Sequence, residues 1–326
     1  MPTKDAVVVG AGVMGAWTAR WLQRRGISVT LIDQYTPGSS LASSGGETRV
    51  TRSAHGSDDH YPGWQRHALG QWRELEQAAH RRLVVDTGVL WLAHSDDGFE
   101  AESLGVLTRL GIPVERLANA EVAKRWPQIG GDDLEWALFE PEGGALMARE
   151  GVAAVVDLFA AEGGTVVHDR VLPPDHTDGA DGRLHRLRTS DGSNLGAQTF
   201  VFAAGPWLPK LLIGLLDDIL AVTRQEYVYL ATPPGDSSFD ARHLPTWVDY
   251  DRAFYGIPSI AGRGLKIAPD YTGPPVDPDR QERRISDHVV DLVRAFARVR
   301  FPGIADQPVA EGRVCQYEAT PDTNFI

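Results

Sequence analysis

The chain is poor in cysteine, in positive charge and in long apolar runs, and each shortage removes a class of protein. Its one cysteine, Cys315, rules out an internal disulfide and fits a reducing cytoplasm. Lys and Arg number 32 against 44 Asp and Glu, a net charge of −12. Nucleic acids and anionic membranes are held by basic side chains that neutralise phosphates, so neither is an expected partner. No stretch approaches the ~20 apolar residues of a membrane span, and Leu211 to Leu220 is broken by Asp217-Asp218. The N-terminal apolar run is too short for a signal core. The histidines show no HExxH-like spacing, and Cys-His metal pairs are absent. Internal repeats and low-complexity tracts are also missing. With 326 residues, 42% apolar and 23% charged, what remains is a globular protein of about two domains.

What is present is clearest at the front. Ala6 to Val9 reads as a strand buried on both faces, and Gly10-Ala11-Gly12-Val13-Met14-Gly15 follows it. Val13 to Arg25 has helical spacing, with Ala16, Ala19 and Leu22 on one side; Gly26 ends it. Val29 to Ile32 is a second buried strand, closed by Asp33. Strand, glycine turn, helix, strand, acid is the order a dinucleotide site requires. Gly10 permits the turn, Gly12 lets the backbone approach a pyrophosphate, and Gly15 lets the helix pack near the strand. The helix N-terminus offers amides to phosphates, and Asp33 is in reach of a ribose hydroxyl. Set in a complete strand-helix-strand unit, the motif reads as a nucleotide site, with a glycine-rich turn of no special use as the alternative; it does not distinguish NAD, NADP and FAD.

After Asp33 the pattern leaves a continuous nucleotide fold. Pro37 to Gly46 is a Ser/Gly-rich loop that returns toward the glycine turn, with Arg49 and Arg52 behind it. Trp64 to Ala79 predicts a helix with Trp64, Ala68, Trp72, Leu75 and Ala79 on one stripe. Leu83 to Val85 and Val89 to Leu92 predict strands around a turn at Asp86 to Gly88. Leu184 to Thr189 and Gln198 to Ala203 predict a hairpin about Asp191-Gly192, ending in small residues, Ala203 to Gly205, that would let a cofactor lie against the backbone. Strands at 222–231, 246–249, 254–257 and 264–268 suit a mostly antiparallel sheet. Arg283 to Arg300 predicts a helix with Ile285, Val289, Leu292, Phe296 and Val299 inward. The expected fold is α/β (α+β overall). A Rossmann-like nucleotide domain (1–80, 145–215, 300–326) interleaves with a mixed, mostly antiparallel sheet domain (81–144, 216–299), and catalysis falls between them.

Six segments then carry a resemblance that is collinear along the chain. They are Gly46-Glu47-Thr48-Arg49, Lys124-Arg125-Trp126-Pro127, Phe139-Glu140-Pro141, Ala203-Ala204-Gly205-Pro206-Trp207, Gly264-Leu265-Lys266 and Val314-Cys315-Gln316-Tyr317. Together the sequence resembles the FAD-dependent amine oxidoreductases of the D-amino-acid-oxidase superfamily, within it the monomeric sarcosine oxidase and N-methyltryptophan oxidase group. The resemblance implies FAD as the ligand, held by Gly10, Gly12, Gly15, Asp33, Ser43, Arg49 and Gly205. Cys315, read alone, is a small buried hydrophobe; the resemblance implies a thioether to the flavin. Lys266, alone an edge lysine, is implied to face the flavin ring and stabilise superoxide during oxygen reduction. Arg52, alone a surface ion-pair residue, is implied to clamp the substrate carboxylate, with Arg49 over the ring. Tyr317 and Phe254 are implied to line the substrate side, with core packing the alternative for both.

The implied reaction is oxidation of a secondary (N-methyl or cyclic) amino acid to an imine, with oxygen reduced to hydrogen peroxide by a cytoplasmic monomer. Asp270 and Gly45 stand where relatives commonly carry histidine, and an acid at the first position is expected to disfavour an anionic substrate. Relatives also continue past the position of Ile326 with a segment that contacts the flavin. A chain ending at Asn324-Phe325-Ile326 is therefore expected to bind FAD weakly or not at all and to have little activity. A nucleotide-binding remnant without chemistry is the alternative. An NAD-linked dehydrogenase is disfavoured by the Ser/Gly loop with Arg49 and Arg52 in place of further strand-helix units.

Overall fold

The computed structural model describes residues 4–174, 183–216 and 218–324. The chain opens with β1 (Lys4–Val9), α1 (Val13–Arg24) and β2 (Val29–Asp33). Val7, Val8 and Leu31 are buried, as parallel strands covered on both faces require. Next come β3 (Arg49–Thr51), α2 (Tyr61–Ala79), β4 (Val84–Val85) and β5 (Val89–Ala93). They are followed by α3 (Phe99–Arg109), β6 (Glu115–Ala118), α4 (Asn119–Arg125), β7 (Trp136–Glu140) and β8 (Gly144–Leu146). The middle of the chain holds α5 (Ala148–Ala161), β9 (Thr165–His168), β10 (Arg186–Arg188), β11 (Asn194–Phe202) and the short α6 (Leu208–Leu211). The remainder is β12 (Ala221–Leu230), β13 (Thr246–Asp249), β14 (Phe254–Ile257), β15 (Leu265–Pro269), α7 (Asp287–Arg300) and β16 (Val309–Ala319).

These elements form a mixed α/β fold of three sheets. A five-stranded sheet runs β10-β11-β1-β2-β9, with β1 parallel to β11 and β2, and β2 parallel to β9. Ala16 and Ala19 of α1 and Val155 and Phe159 of α5 pack together against its strands. An eight-stranded sheet runs β16-β12-β15-β14-β13-β5-β7-β6, and its pairs are antiparallel except β13 with β5. The small sheet β3-β8-β4 forms a third unit. Among the described residues no helix is long and apolar enough to cross a membrane.

Several elements depart from the pattern expected of them. β4 and β5 flank the expected turn yet do not pair with each other: β4 joins β8, while β5 joins β7 and β13. On α2 the buried residues are Pro62, Leu69 and Leu75, whereas Ala68 is exposed and Trp64 is 62% exposed, edge-on to Tyr61 at the surface. On α7 the helix starts at Asp287, and Ser286 caps it by accepting a hydrogen bond from Val289 N. Its inward stripe is Val289, Val293, Phe296, Ala297 and Arg300, and Val299 lies outside. Arg300 turns inward because its Nη2 meets Asp249 Oδ2 at 2.9 Å, both side chains being fully buried. β16 lies along β12 at the edge of the eight-stranded sheet, and Glu318 near its end lines a cavity beside the turn after β1.

Candidate active site

The turn after β1 brings Gly10, Gly12, Asp33 and Gly205 to one place. Gly10 has φ +105°, and a Cβ there would lie 2.3 Å from the Ala203 carbonyl oxygen. At Gly15 a Cβ would lie 1.8 Å from the Gly10 carbonyl oxygen. Both glycines are thus demanded by the protein's packing on itself. Gly12 differs: a Cβ there would meet only Ser44 Oγ, at 3.4 Å, so the backbone on that side is left open. It opens onto a cavity of about 580 Å³, lined also by Asp33, Ser43, Arg49, Gly205 and Glu318. The N-terminus of α1 has no side-chain cap; Val13 N donates to Ser44 Oγ at 3.1 Å. Asp33 accepts from Ala11 N at 2.6 Å and Tyr35 N at 2.7 Å. Burial pushes its carboxyl up, and those two bonds partly offset the shift.

Arg49 is the wall this cavity shares with a second, nearly closed chamber. The chamber is lined by Lys266, Tyr227, Tyr255, Cys315 and Tyr317, and its free volume of about 10 Å³ is that of one water. Lys266 is 2% exposed and has no ion-pair or hydrogen-bond partner among the described residues. Its Nζ lies 4.2 Å from the Tyr227 ring and 5.2 Å from that of Tyr255. Burial, then the Arg49 charge, pushes the amine down to about 7. Arg49 Nη2 donates to the Ser43 carbonyl oxygen at 3.0 Å, and Cys315 Sγ lies 3.9 Å from the same atom. Cys315 and Tyr317 share a face of β16 by strand alternation, and Ser43 Oγ donates to Glu318. The loop at 43–49 therefore joins the nucleotide turn to the far end of the chain.

Other expected residues lie elsewhere. Arg52 lines neither space; its guanidinium lies over the Trp91 ring at 5.2 Å, and Nη1 donates to the Ala54 carbonyl oxygen. Phe254 does not face the chamber, which corrects its expected place: it stacks on Phe296 at 4.2 Å, beneath α7. Alternation along β14 gives the chamber side to Tyr255 instead. Tyr317 OH donates to Asp270 Oδ1 at 3.0 Å, and Asp270 is exposed. Gly45 is buried, and a Cβ there would lie 1.8 Å from the Ser39 carbonyl oxygen, so this loop admits no side chain. Tyr227, Tyr255 and Glu318 were missed from the sequence, although the two-residue period of Gln225-Glu226-Tyr227 and Phe254-Tyr255-Gly256 could have found the first two.

A family model described as DAO, FAD dependent oxidoreductase, matches residues 5–326. The chain belongs to this family. Monomeric sarcosine oxidase of Bacillus sp. (strain B-0618) is 31% identical over 332 residues, covering 99% of this chain and 83% of that protein. N-methyl-L-tryptophan oxidase of Yersinia pestis (strain Pestoides F) is 25% identical over 329 residues, covering 99% and 85%. Two solved structures show the fold. L-proline dehydrogenase from P. horikoshii superposes with a TM-score of 0.84 at 16% identity, over 99% of this chain and 84% of that one. NikD, an unusual amino acid oxidase essential for nikkomycin biosynthesis, does so with a TM-score of 0.79 at 23% identity, over 99% and 84%. In this FAD dependent oxidoreductase the residues present fit the cofactor. The open side of Gly12 and the uncapped start of α1 suit a pyrophosphate, and Asp33 beside the turn suits a ribose.

Proposed function

We propose that the protein oxidises a secondary amino acid, N-methyl or cyclic, to an imine, with oxygen reduced to hydrogen peroxide. The observation that carries this reading is the convergence of Arg49, Lys266, Cys315 and Tyr317 on one chamber that shares a wall with the dinucleotide cavity. FAD would supply the redox chemistry, accepting a hydride equivalent from the carbon bonded to nitrogen and passing two electrons to oxygen. The imine hydrolyses in water, giving formaldehyde when an N-methyl group is oxidised.

The chain's own residues do the rest. Gly10, Gly12, Gly15, Asp33, Ser43 and Gly205 would hold the dinucleotide, with Cys315 placed to carry it covalently through sulfur. Lys266 places positive charge where oxygen becomes superoxide. Arg52 holds the substrate carboxylate by charge-assisted hydrogen bonds, and Tyr317 and Tyr255 border the amine. Asp270, exposed beside Tyr317, repels a further anionic group on the substrate. In this scheme residues 1–80, 145–215 and 300–326 bind FAD, and 81–144 and 216–299 bind substrate. The protein works as a cytoplasmic monomer on a small amine and oxygen, without nucleic-acid or membrane partners. A panel of N-methyl, cyclic and primary amino acids assayed for peroxide tests the reading. Peroxide is expected with secondary amino acids, least with those bearing a second carboxylate, and its absence with every secondary amine would overturn the proposal.

A further inference from the structure

We infer that Glu140 is the positioning residue of the substrate clamp, fixing both surfaces that hold Arg52. The inference rests on the amino acid oxidation proposed above.

Glu140 ends β7 and is 2% exposed, yet it makes no ion pair among the described residues. Its oxygens accept three N–H groups instead. Oε1 takes Trp91 Nε1 at 2.7 Å, and Oε2 takes Ser53 N at 2.5 Å and Ala54 N at 3.2 Å. Those donors belong to the parts that touch Arg52. The Trp91 ring lies under the guanidinium at 5.2 Å, and the Ala54 carbonyl accepts Arg52 Nη1. One carboxylate therefore sets the indole face and the backbone turn together. Gln65 braces the same turn, accepting from Ser53 Oγ at 2.8 Å and donating to Thr51 Oγ1 at 2.9 Å.

The arrangement leaves Arg52 with a defined free edge. With Nη1 committed to Ala54, Nε and Nη2 carry no hydrogen bond among the described residues. Those two donors form the side-on fork that takes a carboxylate through two parallel hydrogen bonds. Arg52 is oriented by stacking and one backbone bond, with no acid of its own in direct contact, so its charge stays available to a ligand. The chemistry at 140 demands an acceptor-only group, because all three partners are donors. A glutamine there would turn an NH₂ toward an N–H. Burial pushes the Glu140 carboxyl up, while the three N–H groups and the nearby Arg52 charge oppose that shift.

The test is Glu140→Gln in the flavin-loaded protein, with KM and kcat measured for an N-methyl amino acid and for the N-methyl amine that lacks its carboxylate. KM for the amino acid is expected to rise about tenfold, as befits a charge-assisted contact pushed out of line, with kcat falling far less. KM for the plain amine stays near wild type, an outcome that a merely structural role would not give. Binding of a small carboxylate, acetate, by calorimetry is expected to weaken in parallel. Should Glu140→Gln not fold, Trp91→Phe keeps the ring and removes the indole N–H; about a threefold rise for the amino acid alone is expected. Equal effects on both substrates, or none on either, in a wild type that prefers the carboxylate would overturn the role of Glu140. A wild type that shows no such preference would overturn the proposed substrate class, and this inference with it.

Discussion

Lys266→Met is expected to slow reoxidation by oxygen about 10²–10³-fold, while reduction by substrate stays close to wild type. The lysine lies 2% exposed among tyrosine rings with Arg49 nearby, and among the described residues no acid pairs with it. Such a charge, fixed before reaction in a site of low dielectric, costs no reorganisation when oxygen takes up an electron. Because burial and Arg49 hold the amine at about 7 against an ordinary 10.5, the wild-type reoxidation rate should fall as pH rises through about 7. The methionine variant should show no such fall, and stopped-flow measurements across that range separate the two.

The same shift fixes a stability difference and its sign. Between about 7 and 10.5 the unfolded chain holds a proton that the folded chain has released. The penalty of burying Lys266 is therefore absent above 10.5, grows as pH falls, and is complete below about 7. Lys266→Met should accordingly stabilise the protein at pH 6 by on the order of a few kcal/mol. The gain shrinks by pH 9. Thermal melts at the two pH values check this, and an equal gain at both would contradict the stated burial of the amine.

Asp249→Asn is expected to destabilise the fold by about 3–5 kcal/mol, without changing turnover per folded molecule. Asp249 Oδ2 and Arg300 Nη2 meet at 2.9 Å with neither side chain exposed, and Asp249 Oδ1 also meets His94 Nε2 at 2.9 Å. Asp133 lies 3.1 Å from Arg300 Nη1 and shares its charge from a more open position. The cluster ties β13 to the end of α7 and to the segment before β7. Removing one charge leaves the buried guanidinium only partly compensated, which costs more than the pair contributes when whole. Urea denaturation gives the loss directly, and a change under 1 kcal/mol would mean that Asp133 alone satisfies Arg300.

Legibility followed locality. The glycine turn and its flanking strands were readable because strand, helix and acid lie within one short stretch, where spacing alone fixes geometry. The hairpin of β10 and β11 was readable for the same reason. The expected pairing around Asp86 to Gly88 did not form, because β4 pairs with β8 and β5 with β7 and β13, strands distant in sequence. Periodicity assigned Val299 to the inside of α7, since it weighs side chains by hydrophobicity and cannot see that Asp249 draws Arg300 inward. Phe254 and Tyr255 are adjacent aromatics, and only the register of β14 decides which meets α7 and which meets Lys266. The reach of Arg49, Ser43 and Cys315 into one place is a tertiary fact that only the collinear family resemblance could suggest.

We propose that FAD binds against Arg49, between the two cavities, with Cys315 as its covalent anchor. Acid precipitation of the purified protein, followed by mass analysis of the peptide containing Cys315, tests it most directly. The account predicts yellow absorbance retained in the pellet and a flavin-sized mass on that peptide, with both lost in Cys315→Ala. Flavin released wholly to the supernatant, or no flavin at all, with an unmodified Cys315 peptide, would contradict it.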